Sequence, residues 1–155
     1  MNQWNRFRPY YKGDLVKVWC SLRPEDLREY EAVRLTDPEL IEAYILSSNP
    51  RLSVWECEEG PVAILGVSPL VEVGVGGVWA IASTLAESRW RFAVRHTSEC
   101  LATLSEGYRL LSNYKDTRNT QQIKWLHRLG FTFFRTEENF MGSGVPFHQF
   151  VRIVK

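Results

Sequence analysis

The stretch NTQQIKWLHRLGF, residues 119–131, decides the fold of this 155-residue chain. Its apolar side chains recur at intervals of three, which predicts an amphipathic helix that buries one face; they are Ile123, Leu126 and Leu129. Asn119 or Asp116 can cap the start of this helix, and Gly130 can end it. Predicted strands lie on both sides, at 108–114 and 131–135. A single helix between two strands permits a parallel crossover, so we expect a sheet that is partly parallel.

Upstream of this stretch, the clearest helix covers residues 88–105, where apolar residues recur every three or four positions. Segments rich in Val, Ile and Trp precede it and predict an antiparallel meander; they cover 52–57, 61–67 and 71–81. Residues 14–22 alternate in part and predict a first strand. Two short helices should follow, one that begins at Pro24 and one over 37–48. A last strand is expected at 147–154.

This order of elements predicts an α/β (α+β) fold. We expect a mixed, mostly antiparallel sheet flanked by about four helices. One domain should cover residues 1–155, with residues 1–12 as a possible N-terminal arm.

The composition excludes several classes of protein. Hydrophobic residues make up 45% of the chain and charged residues 24%, which is typical of a globular domain and not of a disordered one. The net charge of +1 gives no basic footprint for nucleic acid, so a nucleic-acid partner is unlikely. No segment is apolar and long enough to span a membrane, and residues 1–8 lack the apolar core of a signal peptide. Three cysteines far apart favour reduced thiols in a cytosolic setting; they are Cys20, Cys57 and Cys100.

Two sets of residues are candidates for chemistry but carry weak signals. Gly74, Gly76 and Gly77 do not form a GxGxxG motif, so a hairpin turn or a bulge is the better interpretation. The three histidines share no metal-ligand spacing and are interpreted as surface or packing residues; they are His96, His127 and His148. We therefore expect no metal site.

The stretch from Asn119 to Phe131 resembles the last conserved motif of the GNAT N-acetyltransferases, usually written N-x-x-A-x-x-L-Y-x-x-x-G-F. The interval from asparagine to glycine is the same here, and the order of elements also resembles the GNAT fold over nearly the whole chain. The resemblance implies acetyl-CoA as the cofactor if the chain is active. It also implies a gap between the fourth and fifth strands that admits pantetheine, unless Trp79 or Trp125 fills it.

The cofactor motif departs from the family pattern. In GNAT proteins a Q/R-x-x-G-x-G/A loop after the fourth strand holds the pyrophosphate with backbone N–H groups. The corresponding segment here is STLAESRW, residues 83–90, which has no glycine and places Glu87 beside the anion site. The family's usual general acid is a tyrosine seven residues after the asparagine, and that position holds Leu126, which cannot donate a proton.

A narrower resemblance covers the string N-T-x-x-I-x-W-L-x-x-L-G, which begins at Asn119. It is similar to the small GNAT-like proteins of tailed phages, a group that includes the internal virion protein A of T7-like podophages. That group likewise has leucine at the position of the acid. The resemblance is strongest over residues 79–134 and implies a phage virion or the host cytoplasm as the location.

Two functional hypotheses follow. The first is a structural or assembly protein of the virion, in the internal core or the portal and tail region, without acetyl transfer. Its partners would be other virion proteins, and it could form a homo-oligomer. Four aromatic residues of the N-terminal arm are the candidates for partner contacts, although one or two of them could instead pack on the sheet; they are Trp4, Phe7, Tyr10 and Tyr11.

The second hypothesis is an active acetyl-CoA-dependent N-acetyltransferase. The resemblance then implies a set of cofactor-binding residues, Ala82, Ser83, Ser88, Arg89 and Asn119. A general base could come from Glu72 or Glu87. Alternative roles stay open for these residues: Glu72 could be a solvated charge at a strand end, Asn119 a plain helix cap, and Arg89 part of a solvated helix face.

Overall fold

The computed structural model describes residues 4–155, which form seven strands and five α-helices. The strands are β1 (Asn5–Arg8), β2 (Arg51–Cys57), β3 (Gly60–Pro69), β4 (Val75–Ala82), β5 (Leu110–Asp116), β6 (Thr132–Glu137) and β7 (Phe147–Ile153). The helices are α1 (Asp14–Trp19), α2 (Pro24–Ala32), α3 (Pro38–Ser47), α4 (Trp90–Leu104) and α5 (Thr120–Arg128). Short 3₁₀ turns cover Thr84–Arg89 and Phe140–Gly142.

All seven strands lie in one sheet, in the order β1-β2-β3-β4-β5-β7-β6. Every neighbouring pair is antiparallel except β4 and β5, which are parallel. The predicted fold class, a mixed and mostly antiparallel sheet with flanking helices, is therefore confirmed.

The parallel pair is short. β4 and β5 pair only over three positions, which end at Gly77 opposite Ser112. Beyond them, residues 78–82 of β4 and 113–116 of β5 have no strand neighbour on their facing edges. This gap between the two strands, here called the splay, begins after Gly77 and Ser112 and extends to the carboxyl ends of the strands.

The two faces of the sheet carry separate apolar clusters, because successive side chains of a strand point to opposite faces. One cluster packs α4 and α5 on the sheet through Leu101, Leu104 and Leu126. The other packs α1 and α3 through Leu15 and Ile41. The helices thus cover both faces of the central strands, and the splay lies between the two helical layers.

The expected first strand at 14–22 was wrong. Residues Asp14–Trp19 form α1, and Leu15 and Val18 are buried three positions apart on one side of it. The short V-x-V pattern was compatible with a strand, but burial follows helical spacing here. The first strand is instead β1, which lies within the predicted arm and pairs antiparallel with β2.

Two other predicted boundaries need correction. The strand expected over 71–81 begins only at Val75, because Gly74 (φ +82°) belongs to the turn that precedes it. The helix expected from Ser88 begins at Trp90, after the 3₁₀ turn. In residues 4–155, no helix is both long and apolar enough to cross a membrane.

Gly66 generates a test of the packing between β3 and β4. It lies opposite Trp79 in the sheet register, and a Cβ added at Gly66 would come within 2.4 Å of the indole ring. Gly66→Ala should therefore displace Trp79 and lower the free energy of unfolding by about 1–3 kcal/mol, the usual cost of overpacking. Denaturant unfolding monitored by tryptophan fluorescence measures the loss.

The matched control is the double variant Gly66→Ala/Trp79→Leu, which removes the ring that collides with the new methyl group. Its loss of stability should be smaller than the sum of the two single losses. Simple additivity would contradict the proposed collision.

Candidate functional site

The splay contains a large cavity of about 730 Å³. This volume lies within the range of small-molecule sites, about 300–1,000 Å³. Trp79 and Ala80 of β4 line it. Side chains from the helical layers on both faces of the sheet also line it, among them Tyr30, Tyr44, Trp90 and Trp125. Trp79 and Trp125 therefore form part of the cavity wall and leave the gap open.

On the edge of β4 that faces the splay, only some of the backbone N–H and C=O groups have hydrogen-bond partners. Ser83 N–H donates to Val62 O at 2.8 Å. Because successive residues of a strand direct their backbone N–H and C=O groups to opposite edges, the backbone groups of Val78, Ala80 and Ala82 point away from β3. The C=O of Val78 accepts from Asn113 Nδ2 at 2.7 Å. The N–H and C=O of Ala80 and the N–H of Ala82 have no hydrogen-bond partner within residues 4–155.

The carboxyl end of the splay is closed by the segment that leads into α2. Leu22 forms an isolated antiparallel bridge with Ser83. Arg23 N–H donates to Ala82 O at 3.2 Å, and Thr84 N–H donates to Ser21 O at 2.9 Å. Residues 21–23 therefore occupy the edge of β4 just where the strand ends.

Helix α2 also reaches the other side of the splay. The Glu29 carboxylate accepts from Lys115 Nζ at 3.1 Å and from the Asp116 N–H at 2.8 Å. Arg23 Nη2 donates to Gln121 Oε1 at 2.8 Å. Since α2 is bonded both to the end of β4 and to the β5–α5 segment, it acts as a polar strap across the gap.

Asp26 is the most buried charged residue of this strap, at 2% exposure. Its Oδ1 accepts from Asn119 Nδ2 at 3.0 Å and from Gln122 Nε2 at 3.2 Å. Burial raises the pKa of the Asp26 carboxyl, and the nearby Lys115 and Arg23 charges oppose that rise only in part. Asp26 Oδ2 and Asn119 Oδ1 have no hydrogen-bond partner in the described part of the chain.

Comparison with solved structures finds acetyltransferases that match almost the whole chain. An N-acetyltransferase from Staphylococcus aureus Mu50 has a TM-score of 0.75 at 16% identity and covers 97% of this chain and 99% of its own. A putative phosphinothricin N-acetyltransferase has a TM-score of 0.74 at 16% identity, with the same coverage of 97% and 99%. YncA, a putative acetyltransferase from Salmonella typhimurium solved with acetyl-CoA, has a TM-score of 0.71 at 11% identity and covers 97% and 94%. No family model and no curated protein matches the chain.

The chain has the GNAT fold. The mixed, mostly antiparallel sheet with flanking helices and the gap between the fourth and fifth strands are the features that the sequence resemblance implied. At this level of identity the similarity establishes the fold alone.

The loop at the GNAT pyrophosphate position is already hydrogen-bonded within the protein. Thr84 N–H is bonded to Ser21 O, Leu85 N–H to Ser83 Oγ at 3.3 Å, and Ala86 N–H to Ser83 O at 3.1 Å. Ser83 is fully buried, and its own hydroxyl donates to Val62 O at 2.9 Å. Three N–H groups that could hold an anion are thus bonded within the protein, that of Thr84 to the segment before α2 and those of Leu85 and Ala86 to Ser83.

The side chains of this loop do not restore an anion site. Arg89 is buried, and its Nη2 is bonded to Glu58 at 3.1 Å and to Glu59 at 2.8 Å. Ser88 is exposed and donates to Leu85 O, whereas the exposed Glu87 lines the cavity. The loop therefore presents a carboxylate to the splay, while its guanidinium is turned to the Glu58–Glu59 pair.

The remaining candidate residues do not form one site. Ala82 lines the cavity, but Asn119 is buried on Asp26 and makes no side-chain cap of α5. Glu72 is exposed in the turn before β4, where its carboxylate pairs with Arg109 at 3.2 Å, and it is not part of the cavity wall. Leu126 packs in the apolar core.

Of the four aromatic arm residues, two contact other parts of the protein and two are exposed. Phe7 packs against Phe92, and the Tyr10 hydroxyl donates to Glu42. Trp4 and Tyr11 are 43% and 58% exposed. Contact with a partner stays a prediction for these residues.

The strap was missed in the sequence. Asp26 and Glu29 read as ordinary charges of an exposed helix, because their partners are about 90 residues away in the chain. Lys115 likewise gave no signal. The acidic residue at the first turn of α2 would have been a weak sign, since that position is common at helix N-termini without any other role.

The raised pKa of Asp26 predicts how the stability of the protein changes with pH. A carboxyl whose pKa is raised by folding stabilises the native state below its unfolded pKa, near 3.9, and loses this contribution as the pH rises through the folded value. Asp26→Asn keeps the Oδ1 acceptor and replaces Oδ2, which has no hydrogen-bond partner in the described residues, by a neutral amide group. The variant should be at least as stable as the parent at pH 7, and its stability should change less between pH 4 and pH 7.

Asp14→Asn is the control of opposite sign. Burial disfavours the Asp14 carboxylate, but hydrogen bonds from Arg8 and from the Tyr11 N–H outweigh burial and lower its pKa. This variant should lose about 3 kcal/mol at pH 7, as expected when a buried ion pair is broken. A large loss in Asp26→Asn at pH 7 would show that the Asp26 charge is needed by the fold.

Proposed function

We propose that this chain is a virion-associated structural or assembly protein of a tailed phage that keeps the GNAT fold without acetyltransferase activity. The observation that carries the proposal is the bonded loop after β4. Thr84, Leu85 and Ala86 use their N–H groups inside the protein, so the pyrophosphate of acetyl-CoA has no backbone cradle.

Binding of a pyrophosphate at this loop would require three unfavourable changes. The three internal hydrogen bonds would have to break, each with a net contribution of about 0.5–1.5 kcal/mol. The anion would also approach Glu87, and the Arg89 guanidinium would have to leave Glu58 and Glu59. The donor set thus does not fit the charged part of acetyl-CoA.

The positions of the catalytic groups support the same conclusion. Leu126 stands where the family has its acid, and it is 8% exposed within an apolar cluster. Glu72 lies outside the cavity and is paired with Arg109. Glu87 is the remaining base candidate that reaches the cavity, and it is an exposed carboxylate at its rim.

The phage part of the proposal rests on the sequence resemblance that begins at Asn119. Exposed apolar side chains are consistent with contacts to other virion proteins or to a second copy of the chain. Several of them are more than half exposed, namely Tyr44, Val71, Val73, Met141 and Phe134. The proposed location is the phage virion or the host cytoplasm.

An acetyl-CoA-dependent N-acetyltransferase is the second candidate, and one feature favours it. The splay is open, and the unpaired N–H and C=O of Ala80 could bond the amides of a pantetheine arm. The neutral part of the cofactor therefore fits better than its pyrophosphate. We derive no catalytic step for this candidate, since Leu126 and the bonded loop leave its acid and its anion site without a residue.

Quantitative mass spectrometry of gradient-purified particles of the phage that encodes the chain tests the proposal. The chain should be present at a fixed copy number per particle and should resist washing with high salt. A phage non-structural enzyme measured in the same preparation serves as the control for carry-over. If the chain follows that enzyme into the soluble fraction and also releases CoA from acetyl-CoA with an amine acceptor, the proposal is wrong and the second candidate is correct.

A further inference from the structure

We propose that the splay is a docking slot for an extended, uncharged peptide segment of a partner protein, which pairs with the open edge of β4. The inference rests on the structural role proposed above and adds the surface through which that role is carried out. The partner is defined by its chemistry, as a segment without charged or proline residues in its central positions.

The backbone of β4 supports an extended peptide as the occupant. Ala80 offers one N–H and one C=O on the same edge, and Ala82 offers a further N–H. Half-buried backbone groups of this kind need a partner, and a strand supplies donors and acceptors at matching intervals. The bonds of Asn113 to Val78 O and of Arg23 to Ala82 O mark the two ends of the open edge.

The distance between these two ends limits the length of the paired segment. Between Val78 and Ala82 the strand contributes five residues, which at a rise of about 3.3 Å per residue span roughly 13 Å between their terminal Cα atoms. A peptide of three to five residues would therefore fill the edge, with longer flanks on either side of the sheet.

The cavity walls fit alternating side chains. Successive residues of a paired strand point to opposite faces, and the cavity opens towards both helical layers. Tyr44 lines it from α3, and Leu70 and Met141 are further lining residues; all three are exposed apolar side chains. Trp90 and Trp125 line the other side. An apolar peptide side chain would find a wall of rings or aliphatic groups on either face.

Charge complementarity favours an uncharged occupant. The lysine, arginine and glutamate side chains of the cavity wall sum to zero: Arg23 and Lys115 against Glu29 and Glu87. Lys115 and Glu29 are paired with each other, and Arg23 is bonded to Gln121 and lies 3.7 Å from Glu25. A charged residue in the centre of the peptide would find Arg23, Lys115 and Glu29 already engaged, and Glu87, the remaining wall charge, is exposed to solvent. A neutral segment disturbs none of these pairs.

The probe is a display library of random nine-residue peptides selected against the full chain. Two substitutions on α3 give a matched pair, because Tyr44 and Leu40 are both exposed but only Tyr44 lines the cavity. Selected peptides should be uncharged in the centre. They should bind Tyr44→Glu at least 10-fold more weakly than the parent and bind Leu40→Glu unchanged.

Ala80→Pro tests the backbone pairing. The Ala80 N–H points away from β3, so proline removes the donor to the peptide without removing a bond of the β3–β4 ladder. Affinity for the peptides should fall at least 10-fold in this variant, with its fold checked by circular dichroism. The Tyr44→Glu comparison remains decisive if Ala80→Pro does not fold.

Amide hydrogen exchange gives a site-specific readout. The Ala80 and Ala82 amides should exchange faster than their β4 neighbour Ile81 in the free chain, and selected peptides should protect them. Peptides that bind without protecting these amides, or that bind Tyr44→Glu as well as the parent, would overturn the inference, as would a selection that yields no binder. If the inference fails while purified virions still contain the chain, the proposed function stands and its contact surface lies elsewhere.

Discussion

The structure depends on one constraint, the early end of the parallel pairing between β4 and β5. Pairing stops at Gly77 and Ser112, although both strands continue for several residues. Beyond that point every second residue of β4 would leave its backbone groups unpaired on the free edge, and buried backbone groups require partners. Three features lie where this pairing is missing and bond to the strands or across the gap: the Asn113 side chain, the segment 21–23 and helix α2.

Helix α2 is the largest of these three features. It is tied to β4 through the backbone of Arg23 and to the β5–α5 segment through Asp26 and Glu29. The arrangement places a carboxyl with a raised pKa and several polar atoms without partners between two helices. We expect such a network to add little to stability, since a buried charge costs free energy even when it is hydrogen-bonded.

The sequence predicted the elements whose signals are local. The helix that ends before Gly130 and the antiparallel meander were recognisable from periodicity and turn residues. The parallel pair was expected around α5, but β7 separates the strands on either side of that helix, and the parallel neighbours are β4 and β5. Residues 14–22 were misassigned because a six-residue helix offers too few turns for its period to stand out from that of a strand. The motif resemblance then supplied the topology that periodicity alone could not.

The site was less predictable, because its properties depend on contacts between distant parts of the chain. Asn119 could be named as a motif residue, but its bond to Asp26 depends on how α2 crosses the splay. The missing glycine after β4 suggested a weak anion site. That the N–H of Thr84 is bonded to Ser21, 63 positions earlier, could only come from the structure.

Titration of the purified chain with acetyl-CoA, followed by thermal unfolding, tests most directly the claim that the fold has been retained without its cofactor site. A ligand at 100 times its dissociation constant stabilises the native state by about 2.7 kcal/mol, which corresponds to a rise in midpoint of roughly 5–10 °C for a domain of this size. The bonded loop after β4 predicts no rise at millimolar acetyl-CoA, with a known acetyl-CoA-binding GNAT enzyme as the positive control. A rise of several degrees would contradict it and would show that Thr84, Leu85 and Ala86 can release their internal bonds to hold the cofactor.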